Sequence, residues 1–229
     1  MASTLEFSDE WGNTNGIAQF EKISREEWLK SMPSAFERTD TDDEKVSAKK
    51  RELRVQYANS YDDIKLPTRA TTGSAGYDFF LPFNDLVLLP GTDCIIPTGI
   101  KCRMKPGWFL ALYPRSGHGF KYKVCLANTV GVIDSDYYNC EKNEGHIIVK
   151  LCNRMDLEGV PLKQVPDITR GACKLVIDTN SEEFKNRCLS VKVGGAFCQG
   201  IFQMYGITVD DSTDGQRIGG IGSTSTESN

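Results

Sequence analysis

Residues Cys94 to Pro114 read CIIPTGIKCRMKPGWFLALYP. The stretch holds two apolar runs, CIIPTGIKCRM and GWFLALYP, punctuated by Pro106-Gly107. Runs this short, rich in Ile, Phe, Tyr and Trp and bounded by Gly and Pro, read as strands. The same texture extends in both directions. Upstream lie LRVQYA (53–58), GYDFFL (76–81) and DLVLLP (85–90), the last closed by Pro90-Gly91. Downstream lie KVCLANTVGVID (123–134), HIIVKLCN (146–153), CKLVID (173–178), LSVKV (189–193) and FCQGIFQMYGITV (197–209). Many short strands without alternating long helices or an internal repeat predict an all-β sandwich, jelly roll or barrel. A Rossmann-like sheet is not expected.

The flanks differ from this body. Ser24-Arg25-Glu26-Glu27 has capping-box spacing, and Trp28, Leu29 and Met32 follow on one face, so a short helix ending before Pro33 is expected. Residues 37–54, ERTDTDDEKVSAKKRELR, are dense in charge and read as a solvated linker or an exposed helix. The reading divides the chain into a partly helical, charged extension over 1–50, a β domain over 51–216 and a flexible arm over 217–229. Residues 154–193 form an insert, with a short helical piece from Ser181 to Arg187.

With 229 residues, 39% of them hydrophobic and 25% charged, the chain can bury a substantial core. A net charge of −4 argues against a nucleic-acid-binding surface. No apolar run approaches a membrane span, and no basic, apolar leader opens the sequence. A cytoplasmic protein is expected, or one in a host cytoplasm if phage-encoded. Eight cysteines without a CxxC and two histidines, His118 and His146, offer no metal-ligand spacing. The cysteines are expected as reduced thiols, with Cys125 and Cys198 buried.

Four segments carry candidate chemistry. GVIDSDYY (131–138) places Asp134 and Asp136 on one side of an extended chain beside Tyr137, as a water-activating acid with an aromatic neighbour or as a solvated turn. PRSG (114–117) sets a guanidinium and a hydroxyl at a strand end, suited to phosphate oxygens or to a plain β-turn. SAGYDFF (74–80) puts Asp78 in an aromatic strand, either inward, where a carboxylate needs a partner or a metal-bound water, or outward into solvent. RIGGIGST (217–224) combines a base, glycines and hydroxyls, as an anion cradle or as a tail.

Together, the order AGYD, PRSG, GVIDSDY, GAFCQGIF and an Arg/Gly/Ser tail resembles the trimeric dUTPase (dUTP pyrophosphatase) family from about Leu53 to Thr224. PRSGHGFKYKVCLANTVGVIDSDY is similar to the bacterial form, and the insert suggests a phage-type member. The resemblance implies a β jelly roll of the β-clip type and a homotrimer. It also implies Mg2+-assisted, in-line hydrolysis of dUTP to dUMP and pyrophosphate.

It implies roles residue by residue. Asp134 is the general base, with a pKa raised by burial among Val132, Ile133 and the bound sugar, while Asp136 supports its loop. Tyr137 packs on the deoxyribose and excludes a 2′-hydroxyl. Asn128, Gly131, Val132 and Ile133 belong to the hairpin that reads uracil. Arg115, Ser116, Gly117 and Gln199 bind the triphosphate, and Asp78 holds magnesium through water. Arg217, Gly220, Ile221, Gly222, Ser223 and Thr224 form the closing arm.

The chain also departs from the pattern. Ile221 replaces a stacking phenylalanine, Asn139-Cys140 follow where a glycine is usual, and Ala196-Phe197 replace an acid and a base. Two alternatives stand beside the hydrolase: an interaction protein on this scaffold that uses the 154–193 insert, and a dCTP deaminase-type enzyme.

Overall fold

The computed structural model describes residues 16–37, 39, 41–167, 172–215, 217 and 219–220. In chain order the strands are β1 (Ala18–Lys22), β2 (Thr68–Arg69), β3 (Tyr77–Phe80), β4 (Leu86–Leu88), β5 (Asp93–Pro97), β6 (Ile100–Met104), β7 (Trp108–Pro114), β8 (Val124–Leu126), β9 (Gly131–Asp134), β10 (Ile148–Asn153), β11 (Leu162–Asp167), β12 (Ala172–Ile177), β13 (Leu189–Val191) and β14 (Ala196–Met204). The helices are α1 (Arg25–Lys30), α2 (Glu44–Asn59), α3 (Ser116–Tyr122) and α4 (Glu182–Lys185). The fold is all-β and of jelly-roll type, built entirely from antiparallel pairs. None of the described helices is long and apolar enough to cross a membrane.

The main sheet runs β2-β3-β14-β7-β9. Its centre follows from composition. GWFLALYP lacks polar side chains through Leu112, and Leu110, Ala111 and Leu112 are at most 2% exposed. A strand covered on both faces reads as a continuous apolar run. Gly200 on β14 lies opposite Leu112 of β7 and Tyr77 of β3. A Cβ there would fall 2.8 Å from Leu110 Cδ1 and 3.0 Å from Phe79 Cε2, so the core closes over a missing side chain. A second sheet, β5-β10-β8, contributes buried Ile96, Val149 and Leu151.

The N-terminal segment is knitted into this core. β1 pairs along its whole length with β6, and Phe20 packs on Tyr77, Phe79 and Phe202 at centroid distances of 5.4–5.7 Å. The expected helix is α1, and its Ser24 cap accepts from Glu27 N–H. Trp28 is fully buried, stacks on Tyr57 at 4.2 Å and donates its indole N–H to Tyr57 O at 2.9 Å.

Two strand-level expectations change. Leu53–Ala58 is helical, within α2, and the division at residue 50 falls inside that helix. Leu53 and Tyr57 are one helical turn apart and turn inward, while Val55 is 56% exposed. The Glu- and Lys-rich approach, capped by Asp43, carries the helix through them. Within 154–193, β13 is a body strand, because it pairs with β4 and buries Leu189 and Val191. Among the described residues the β11–β12 hairpin pairs only with itself, and α4 is capped by Ser181 as expected. Cys198 is buried, whereas Cys125 is only partly so.

Candidate functional site

The predicted site residues gather in two places. The first lies where β3, β14 and the end of β7 meet. Gln199 sits opposite Asp78 on one side and Tyr113 on the other. Its amide donates to Pro114 O at 3.1 Å, which fixes it beside the PRSG turn. Arg115 Nε lies 3.2 Å from Asp78 Oδ1, and Ser116 and Gly117 open α3, exposed. An arginine carries five N–H donors, so one contact to Asp78 leaves several for phosphate oxygens.

His118 belongs to this first group, although the sequence reading gave it no role. Its Nδ1 is buried without a partner among the described residues. Burial, and then the Arg115 charge, hold the ring below the usual histidine pKa, so it is neutral at pH 7. The signal was present in PRSGHGF, where a histidine directly follows the phosphate-type turn.

The group fits magnesium in one specific sense. It offers a single carboxylate, and no cluster of three or more metal-ligating side chains occurs among the described residues. Magnesium held through waters and substrate phosphates needs no more protein than that.

The second group lies at the other end of β7. β9 pairs with β7 so that Asp134 faces Phe109. The chain then turns through Ser135–Tyr137 and presents Asp134 and Asp136 to one arginine. Arg217 donates through Nη2 to Asp134 and through Nε to Asp136 at 2.9 Å. The protein's own residues leave Asp134 partly open: its side chain is 41% exposed, Val132 is 55% exposed, and Arg217 pairs with the carboxylate. Asp136 supports the arm arginine.

Tyr137 is 8% exposed. Its hydroxyl donates to His146 O at 2.8 Å and accepts from Asn143 Nδ2 at 2.7 Å. Burial raises the phenol's pKa, so it stays neutral. Gly220 lies against it: a Cβ there would fall 2.7 Å from the hydroxyl oxygen. Ile221, Gly222, Ser223 and Thr224 lie outside the described residues.

Between β8 and β9 the predicted base-reading hairpin is a tight turn. Thr129 N–H donates to Leu126 O at 3.1 Å, and Thr129 takes the left-handed conformation at φ 64°. Ala127, Asn128 and Thr129 are exposed at its tip, Gly131 is buried, and Ile133 is half-buried.

The departures resolve physically. Asn139 has φ 56°, a left-handed position that asparagine tolerates, and its side chain accepts from Lys101 Nζ at 2.7 Å. Phe197 is fully buried at a bulge between Ala196 and Cys198, so it belongs to the core and not to a site wall.

A profile of the dUTPase family matches residues 62–156, which include Asp78, Arg115, Asp134 and Tyr137. The chain is 41% identical over 109 residues to the deoxyuridine 5′-triphosphate nucleotidohydrolase of Lactococcus lactis, a match covering 48% of this chain and 71% of that protein. It is 40% identical over 108 residues to the corresponding protein of Erwinia tasmaniensis, covering 46% and 67%. Among solved structures, the crystal structure of dUTPase from Streptococcus mutans aligns at 29% identity and TM-score 0.45, over 64% of this chain and 89% of that one. With the relative from Lactococcus matched at 41% identity over most of its length, and the family profile spanning Asp78, Arg115, Asp134 and Tyr137, the chain belongs to the dUTPase family.

Proposed function

We propose that this protein hydrolyses dUTP to dUMP and pyrophosphate, as a homotrimer whose sites each draw on more than one copy. The observation that carries this reading is the pairing of two half-sites. Asp78, Arg115 and Gln199 suit a magnesium–triphosphate. Asp134 and Tyr137 suit a water and a sugar at the far end of the same strand, and Asn128, in the β8–β9 turn before Gly131, suits a base.

In this mechanism Asp134 accepts a proton from a water aligned with the α-phosphorus. The water oxygen bonds to phosphorus, and the bond to the bridging oxygen breaks, releasing pyrophosphate. Arg115, Ser116, Gly117 and Gln199 hold the triphosphate in line with the attack. Magnesium, held by the phosphates and by waters on Asp78, would offset negative charge on the leaving group. Asn128 and the backbone of Gly131, Val132 and Ile133 meet the uracil edge, and Tyr137 fills the space beside the sugar 2′-carbon. Arg217 pairs with Asp134 in the structure. Its transfer to phosphate as the arm closes, with Gly220, Ile221, Gly222, Ser223 and Thr224, frees the carboxylate to act as a base.

Pyrophosphate release across deoxy- and ribonucleotides, with and without magnesium, tests the proposal. Turnover confined to dUTP and dependent on magnesium is expected. Failure to turn over dUTP at micromolar enzyme overturns it, and ammonia release from dCTP would point to the deaminase instead.

A protein partner at the insert is a second reading. It is favoured by the β11–β12 hairpin, which leaves Leu162 and Leu175 56% and 63% exposed. Isolated hairpins are marginal in water. Deleting 162–177 should leave dUTP turnover intact and abolish such binding. Loss of turnover would assign the hairpin to the enzyme itself.

A further inference from the structure

Tyr137 is held by a loop and not by a sheet. Its proton goes to His146 O, and Asn143 Nδ2 takes one of its lone pairs. Asn143 is itself fixed on three sides. Its Oδ1 accepts from Cys140 Sγ at 3.0 Å and from Gly145 N–H at 3.3 Å, and its carbonyl accepts from His146 N–H at 2.8 Å. Gly145 has φ 79°, and a Cβ there would fall 2.4 Å from Tyr137 O, so the loop runs directly against the tyrosine backbone.

The outer side of the same loop is gripped by the N-terminal segment. Glu144, next to Asn143, accepts from Ser24 N–H at 2.8 Å and from the Ser24 hydroxyl, and it lies 3.6 Å from Lys101 Nζ. The Trp28 ring stands 6.5 Å from His146. Ser24 and Trp28 therefore reach the Tyr137 phenol through Glu144–Asn143 and through His146.

We infer that Asn143 is a positioning residue for sugar selection, braced from the N-terminal segment by the Ser24–Glu144 contact. The inference rests on the reading of Tyr137 as the wall beside the sugar. With its proton already committed to His146, Tyr137 has none to offer a sugar and discriminates by where its ring stands. Asn143 sets that place from the far end of the phenol. Without Nδ2 the ring gains freedom to swing, and a shift well under 1 Å changes the room for a hydroxyl.

The test compares kcat/KM for dUTP and UTP in the full chain, in Asn143→Ala, in Tyr137→Phe and in the double variant. Asn143→Ala should lower the dUTP-to-UTP ratio about tenfold, with kcat for dUTP kept within about threefold. The double variant should be no worse than Tyr137→Phe alone, because Asn143 then has nothing to hold. Glu144→Gln should move the ratio the same way by less. Asn143→Asp keeps the loop contacts at Oδ1 while removing the donor, and should relax selection in the same way if Asn143→Ala does not fold. An unchanged ratio in a folded Asn143 variant, or effects that multiply in the double variant, overturns the inference. Tyr137→Ala separates the two levels. If it leaves selection unchanged, the sugar-wall reading fails. If it relaxes selection while Asn143→Ala does not, only the role of Asn143 fails.

Discussion

Asp134 and Gln199 stand on strands that flank β7 from opposite sides, Asp134 facing Phe109 and Gln199 facing Tyr113. Four residues of strand separate those positions, about 13 Å at roughly 3.3 Å per residue. In the proposed trimer, a triphosphate seated on Gln199 and Arg115 would meet the Asp134 of another copy of the chain.

That geometry predicts complementation. Asp134→Asn and Arg115→Ala should each be inactive alone. Mixed after reversible dissociation, they should recover about a quarter of wild-type activity, since a site is whole only when each residue comes from the copy that retains it. A mixture as inactive as its components would show that both residues act within one chain.

Asp134→Asn by itself should lower kcat by about 10²–10⁴-fold, the usual loss for a general base. Binding of dUTP, followed by calorimetry, should change only a few-fold. Arg217 keeps Asp136 as a partner in that variant, so the arm retains its seat. A parallel collapse of binding and turnover would make Asp134 a binding residue.

The N-terminal segment offers a stability test with a built-in control. Trp28 is fully buried on Tyr57, while its neighbour Leu29 is 42% exposed. Trp28→Ala should cost about 3–5 kcal/mol in urea unfolding, the usual range for emptying a large aromatic site. Leu29→Ala should cost under about 1 kcal/mol. Equal, small effects would mean that the segment is only loosely attached.

The strands were legible because apolar β-branched and aromatic runs are cut by Gly and Pro, as at Pro106-Gly107. The error at Leu53–Ala58 has a definite cause. Leu53, Val55 and Tyr57 alternate like a strand, and the helix-forming residues that overrule them lie upstream. β1 was missed because AQFEK shows little pattern until β6 pairs with it. At the site, residue types were readable but partners were not. The division into two half-sites depends on β7 register, which no local pattern encodes. The pairing of Arg217 with Asp134 joins residues 83 apart in sequence, and Asn143 carries no signal beyond a polar letter in a loop.

Acid should weaken the fold through His146. The ring is fully buried, Nε2 accepts from Gly99 N–H at 2.9 Å, and burial lowers its pKa from 6.5 to about 4. The unfolded chain binds this proton more tightly, so the stabilising contribution is present above pH 6.5 and is lost as pH falls toward 4. Between pH 7 and 5 the loss should be about 2 kcal/mol, and His146→Gln should flatten that slope in denaturant titrations. A slope unchanged in the variant would assign the acid sensitivity elsewhere.

The position of β14 has a consequence for how the protein is made. It is the last described strand, yet it lies between β3 and β7 in the main sheet. Gly200 pairs with Tyr77, more than a hundred residues earlier. A ribosome therefore releases both neighbours of β14 long before the strand that joins them. Until it arrives, each presents an open edge to other chains. Closure of this sheet is a late, long-range event, and long-range pairing of this kind is slow. A chain cut short before Ala196 would keep its segments but lack the strand that joins β3 to β7.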